Sequence, residues 1–182
     1  TENGKQPMQF NQFSITFNGE IYNYKEITKE LEQLGHIFNS SSDTEMILHA
    51  YAEWGVSCLE RFIGMFAFVI YDKEKQEVFC ARDRVGVKPF FYYWNEGLFL
   101  FGSELKAFRT HPEFTNKLDR GTISSFLAYS HVPAPNSIFE NIFKLRPANI
   151  LCVDFERNQK QLSTYWSLED SSKLNDKNKS NN

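Results

Sequence analysis

Apolar and polar positions alternate over Phe13-Ser14-Ile15-Thr16-Phe17, a period of two that predicts a strand with one buried face. The period then lengthens. Ile27, Leu31 and Leu34 recur at helical spacing within residues 25–34, and Gly35 ends that run. Asn23 followed by Glu26 has capping-box spacing, so Asn23 is the expected N-cap. A short crossing segment starts at Ile37-Phe38. A second helix opens in Ser40-Ser41-Ser42-Asp43-Thr44-Glu45, where Ser42 with Glu45, or Asp43 alone, fits a cap. Its apolar face is Met46, Ile47, Ala50, Tyr51 and Trp54, and Gly55 stops it. A brief helical piece is expected over 58–62.

Strands dominate next. Residues 64–71 (GMFAFVIY) and 78–81 (VFCA) flank the charged turn Asp72-Lys73-Glu74-Lys75-Gln76 and read as an antiparallel hairpin. Residues 90–94 (FFYYW) and 98–101 (LFLF) form another around Asn95-Glu96-Gly97. Both hairpins are apolar on nearly every residue, which predicts a sheet covered on both faces. The expected class is therefore α+β, layered helix, sheet, sheet, helix. A short helix follows from Ser103. Another is expected over 120–129, with Ile123, Phe126 and Leu127 on one face. His131-Val132-Pro133-Ala134-Pro135 is a proline-stiffened stretch, and 138–145 with 149–154 read as a turn and a strand. Residues 1–12 form a polar leading loop, and from Ser167 onward the polar tail is expected to be disordered.

Composition narrows the picture. The 182 residues contain 41% apolar side chains, with 18 Phe and 8 Tyr, enough for a globular aromatic core. A net charge of -3 without a Lys/Arg run argues against nucleic acid and anionic membranes as partners. No stretch approaches the roughly 18 apolar residues of a membrane span. Three cysteines, Cys58, Cys80 and Cys152, are too few for a disulfide framework and suit a reducing cytoplasm. The four His residues show no metal-ligand spacing.

Four polar features carry candidate chemistry. Asn18, Gly19 and Glu20 follow the first strand. Asn18 and Gly19 can offer a side-chain and a backbone N–H to a developing oxyanion; the bland alternative is a tight Asn-Gly turn. Asp43 sits at a helix start, where a plain N-cap is the simpler reading. Ala81-Arg82-Asp83-Arg84-Val85-Gly86-Val87-Lys88-Pro89 places three cations and an acid after a strand; an internal structural bracket is favoured over a ligand site. Ser103-Glu104 reads as a cap for the helix that begins there. The cysteines lie in apolar surroundings and read as buried hydrophobes rather than nucleophiles.

Taken together, Gln6-Pro7-Met8, Phe17-Asn18-Gly19-Glu20-Ile21-Tyr22-Asn23-Tyr24, Ser42-Asp43-Thr44-Glu45, Gly64-Met65-Phe66-Ala67-Phe68, the 81–89 loop and Ser103-Glu104-Leu105-Lys106-Ala107 resemble the glutaminase domain of glutamine-hydrolysing asparagine synthetase. That is a class II amidotransferase of the N-terminal-nucleophile hydrolase fold. The segment 129–135 with Ile138-Phe139 and Lys144-Leu145 resembles that enzyme's passage to its synthetase domain. The resemblance implies a four-layer αββα sandwich of antiparallel sheets. It implies that Asn18 and Gly19 form an oxyanion hole, and that Glu20 and Asp43 hold the α-ammonium of L-glutamine. No cofactor is implied for this part; ATP and Mg belong to the synthetase half. Residues 1–128 would be a partial glutaminase domain, 129–166 the passage and 167–182 the tail. A homodimer is left open.

The family's nucleophile is an N-terminal cysteine whose amine acts as base, and an arginine before the matched region pairs with the glutamine carboxylate. Neither has a counterpart here, so the first strands are expected to be missing. Thr1, in a loop, is a poor stand-in. The expectation is a part of the enzyme that hydrolyses no glutamine alone. A catalytically dead glutamine-binding module is the alternative.

Overall fold

The computed structural model describes residues 5–115 and 117–169; Thr1 and positions 170–182 of the expected tail lie outside them. The strands are β1 (Met8–Phe10), β2 (Phe13–Ile21), β3 (Gly64–Asp72), β4 (Glu77–Arg82), β5 (Phe91–Asn95), β6 (Leu98–Gly102), β7 (Ile142–Lys144), β8 (Asn149–Asp154) and β9 (Gln159–Thr164). The α-helices are α1 (Tyr24–Gln33), α2 (Asp43–Trp54), α3 (Cys58–Arg61) and α4 (Arg120–Tyr129). One sheet has six strands in the order β1-β2-β3-β4-β8-β9, and the other has three, β6-β5-β7. All their pairings are antiparallel.

The layers follow from which face of each strand is apolar. Phe13, Ile15, Phe17 and Ile21 of β2 pack with Phe66, Phe68 and Ile70 of β3 under Ile27 and Leu31 of α1 and Met46 and Ile47 of α2. The opposite face of the same sheet, Ala67 and Val69 of β3, Val78 and Cys80 of β4 and Leu151 and Val153 of β8, meets Phe90 and Tyr92 at the second sheet. Beyond that sheet, Tyr93 and Ile142 are covered by Phe108 and Phe139. Phe108 belongs to a 3-10 turn, Leu105–Thr110. The order is thus helices, sheet, sheet and a thin outer layer, as the doubly apolar hairpins predict.

Several elements differ from expectation. β2 does not stop at Phe17 but continues through Asn18, Gly19 and Glu20, which pair with Ala67, Phe66 and Met65. The Asn-Gly dipeptide is no turn. An ideal Cβ on Gly19 would lie 2.2 Å from the Met65 carbonyl oxygen, so glycine here permits a close approach of two strands. Asn23 makes no side-chain cap; it donates to Arg61 O at 2.9 Å and accepts from Ile63 N at 2.9 Å, tying the end of β2 to the start of β3. The stretch 129–166 contributes β7, β8 and β9 to the two sheets, so no break in the fold falls at 128. β9 has no apolar alternation because every residue of this edge strand is exposed. The expected apolar face of α4 is largely uncovered: Phe126 and Leu127 are exposed, and Thr122 is the helix's buried residue.

Candidate functional site

The site is built on one edge of β2. In an antiparallel ladder, facing residues alternate between exchanging both backbone bonds and exchanging none. Phe66 spends its N–H and C=O on Asp83: Asp83 N donates to Phe66 O at 2.8 Å, and Phe66 N donates to Asp83 Oδ2 at 3.3 Å. Its partner Gly19 therefore turns its own N–H away from β3, as do Phe17 and Ile21 two residues to either side. β1 covers only Phe13–Ile15 of that edge. Beyond it, Phe17 N donates to Gln6 Oε1 at 2.7 Å, and Ile21 N donates to Asp43 Oδ2 at 3.1 Å. The Gly19 N–H stands between these two satisfied donors with no partner among the described residues.

Asn18 and Glu20 leave β2 on the opposite face from Phe17 and Ile21, because successive side chains alternate. Both are exposed. The Asn18 amide nitrogen donates to Ser103 Oγ at 3.1 Å. The Glu20 carboxylate has no hydrogen bond among the described residues. The four residues expected from sequence thus gather on the last four positions of β2, three in the strand and Asp43 bonded to its end.

Asp43 is held there by its own helix start. Ser42 is the N-cap, accepting from Glu45 N at 3.2 Å, so Asp43 is the first helical residue rather than the cap. The Glu45 carboxylate reaches further back and accepts from Asn39 N at 2.7 Å, Ser40 N at 2.7 Å and Ser40 Oγ at 2.5 Å. These bonds hold its pKa low despite burial, which alone would raise it. One turn on, His49 is stacked between Phe10 and Phe38, with ring centroids 3.8 and 4.3 Å away. Its Nδ1 meets His36 Nδ1 at 2.9 Å, and His36 Nε2 meets Glu53 at 2.9 Å. His49 Nε2 is buried without a hydrogen bond, 3.9 Å from Glu45 Oε1, and burial pushes the pKa of His49 down. This ladder fixes the 36–45 segment that presents Asp43.

The 81–89 loop is the structural bracket favoured from sequence, although its charges hold backbone rather than one another. Asp83 is fully buried and accepts from the N–H groups of Phe66, Val85, Val87 and Lys88 at 2.9–3.3 Å. Arg82 donates to the carbonyls of Lys88, Leu145 and Gly86, and Arg84 to those of Phe62, Leu59 and Glu60. Asp83 is also the residue that fixes which way Phe66, and through it Gly19, points.

No cysteine supplies an activated thiol. Burial pushes Cys58 up to about 12 and Cys80 well above the ordinary thiol value, and burial with Glu77 raises Cys152. Ser103 caps nothing: the turn after it has Glu104 as N-cap and no side-chain cap bond. Sequence reasoning gave that serine to a helix. Only its placement beside a residue 85 positions away shows otherwise. Gln6 belongs to the Gln6-Pro7-Met8 motif, and its role as a side-chain acceptor for Phe17 N emerges from the fold.

A family model described as the glutamine amidotransferase domain matches residues 1–166. The chain belongs to this family. The amidotransferase domain is 40% identical to asparagine synthetase (glutamine-hydrolyzing) 3 of Bacillus subtilis over 92% of the chain and 28% of that protein. It is 36% identical to the putative asparagine synthetase (glutamine-hydrolyzing) 2 of Methanocaldococcus jannaschii over 98% of the chain and 38% of that protein. It therefore spans well under half the length of these relatives. Among solved structures, the glutamine phosphoribosylpyrophosphate amidotransferase of B. subtilis superposes with a TM-score of 0.62 at 20% identity, over 88% of this chain and 32% of that one. At that identity the likeness establishes the fold, an amidotransferase sandwich of antiparallel sheets and helices.

Proposed function

We propose that this amidotransferase domain is the glutaminase part of an asparagine synthase. Glutamine lies along the open edge of β2, its amide end at Asn18 and Gly19 and its α-ammonium at Glu20 and Asp43. The observation that carries this reading is the row of β2 amides: two are taken by Gln6 and Asp43, and one, on Gly19, is left open beside the Asn18 amide. An amide carbonyl under nucleophilic attack gathers charge on oxygen, and two N–H donors fixed in advance stabilise that charge more than they stabilise the ground state. An ammonium removed from water needs anionic acceptors, which two carboxylates provide.

Hydrolysis would release glutamate and ammonia. The ammonia would pass to an aspartyl-adenylate made with ATP and Mg by a synthetase domain, giving asparagine. A reducing, cytoplasmic setting fits three unpaired cysteines. Among the described residues no helix is long and apolar enough to cross a membrane.

The burial of Cys58 and Cys80, which keeps both thiols away from the open edge of β2, favours a second reading, a domain that binds glutamine without turning it over. One pair of measurements separates the two. Calorimetric or NMR titration should show binding of L-glutamine that D-glutamine does not reproduce; no binding would sink both readings. Glutamate release by the native protein, lowered about 10²- to 10³-fold by Asn18→Ala, identifies a working glutaminase, whereas binding without release by that native protein identifies the silent module.

A further inference from the structure

We infer that Ser103 is a positioning residue for Asn18, its hydroxyl anchoring the side-chain amide beside the open end of β2. This rests on the glutamine reading above. Asn18 Nδ2 donates to Ser103 Oγ at 3.1 Å, and the bond joins the six-stranded sheet to the end of the three-stranded one.

The need for such a hold follows from where Asn18 sits. It is an exposed side chain on a strand face, and the terminal torsion of an asparagine is broad and roughly two-fold. Turned over, the amide would present Oδ1, an acceptor, to a developing oxyanion. Repulsion would replace attraction at the point where charge builds. The amide nitrogen carries two hydrogens. With Nδ2 bonded to Ser103 Oγ the terminal torsion is restrained, and the second N–H remains for the substrate oxygen. Gly19 needs no such help, because the ladder between β2 and β3 already aims its backbone N–H.

Ser103 is placed to do this. Its hydroxyl is not spent on capping the turn that follows. It comes directly after Gly102, which ends β6 paired with Phe91. The chain then folds back so closely that an ideal Cβ on Gly102 would lie 3.4 Å from Ala107 Cβ. The fold-back is anchored by Phe108, which is 2% exposed in the outer core cluster. A short side chain on a fixed turn loses little freedom in making one directed bond.

The test is NMR of 15N-labelled protein, with Ser103→Ala and Ser103→Thr beside the unmodified chain. In the unmodified chain the Asn18 side-chain amide should give two separated proton signals with a high heteronuclear NOE. In Ser103→Ala the NOE should fall and both proton shifts should move to those of an unconstrained asparagine, while the backbone signals of Phe17 and Gly19 hold still. Ser103→Thr should restore the ordered signature. An equally ordered Asn18 amide in Ser103→Ala overturns the proposal. Adding L-glutamine to the same samples tests the underlying reading separately: shifts at Gly19 and Ile21 support it, and their absence sinks it whatever Ser103 does. If glutamate release is measurable, Ser103→Ala should lower kcat about tenfold with KM unchanged. A change in KM alone would assign Ser103 to ground-state binding and also overturn the proposal.

Discussion

Asp43 Oδ2 accepts the backbone N–H of Ile21 at 3.1 Å, which sets the first residue of α2 against the last residue of β2. One carboxylate thus has two tasks, closing a strand edge and offering negative charge beside it. Asparagine in its place keeps an oxygen for Ile21 but removes the charge. Asp43→Asn should therefore weaken L-glutamine binding at least tenfold by titration while moving the melting temperature by no more than about 2 °C. Asp43→Ala should lose both binding and stability, the latter by about 1–2 kcal/mol for an orphaned strand-end donor. Equal binding by Asp43→Asn and the unmodified chain would remove Asp43 from the ammonium site.

Gly19 has φ of +154°, and an added Cβ would meet backbone at 2.2 Å. Gly64, on the neighbouring strand, has the same 2.2 Å clearance against Glu20 O. The two strands close on each other at both ends of the site segment. Gly19→Ala should cost about 3 kcal/mol, measured by urea unfolding, or roughly 6–12 °C in melting temperature for a chain of this size. A loss under 0.5 kcal/mol would show that β2 and β3 can spread apart there without penalty.

These two residues also show what the sequence could and could not convey. The hairpins β3–β4 and β5–β6, the helices and the layering are legible because they depend on which residues are apolar, a local property. The chemistry at Asn18, Gly19, Glu20 and Asp43 is legible through motif resemblance. What stayed hidden depends on direction. Asn-Gly looks the same in a turn and in a tight strand crossing. Asn23 with Glu26 looks like a cap whether or not the side chain is diverted to Ile63. Ser103 looks like a cap until the second sheet brings it to Asn18. β9 has no apolar period because an exposed edge strand needs none.

Asp83 tests the claim that the 81–89 loop is architectural. It is fully buried, and four backbone donors converge on its carboxylate. Asp83→Asn puts an NH2 against at least one of those donors and leaves that donor unpaired. Each such loss costs about 1–3 kcal/mol, so the substitution should remove about 2–3 kcal/mol of stability in urea. Because Asp83 also fixes Phe66 opposite Gly19, the Gly19 amide signal should shift in the variant. An unshifted Gly19 would separate the loop from the site.

The uncovered side of α4 makes the opposite prediction. Leu127 is 78% exposed, and Phe126 and Tyr129 are also open to solvent. Exposed apolar groups that bury nothing contribute little to folding. The double substitution Phe126→Ser and Leu127→Asn should change stability by less than about 0.5 kcal/mol, although periodicity alone marks these residues as core. A loss near 3 kcal/mol, the size expected for truncating buried Leu and Phe, would mean that this face is packed in solution.

Stability should fall in mild acid, and His49 sets the onset. Burial lowers its pKa from an ordinary 6.5, the neighbouring His36 lowers it further, and Glu45 opposes both. The folded protein thus refuses a proton that the unfolded chain accepts. Stability is full above about 6.5, drops as pH falls below that value, and levels off once the lower folded pKa is passed. Glu45 adds a second decline with the same sign further into acid. Its folded pKa is held below 4.5 by the bonds from Asn39 and Ser40, so the unfolded chain again takes up the proton first. Both groups brace the segment that carries Asp43. The check is the urea midpoint from pH 7.5 to 5, for the unmodified chain and for His49→Phe, which keeps a ring between Phe10 and Phe38. The unmodified chain should lose stability across that interval and the variant should run nearly flat. An identical slope in both would place the acid sensitivity elsewhere and leave the His36–His49 contact with a packing role alone.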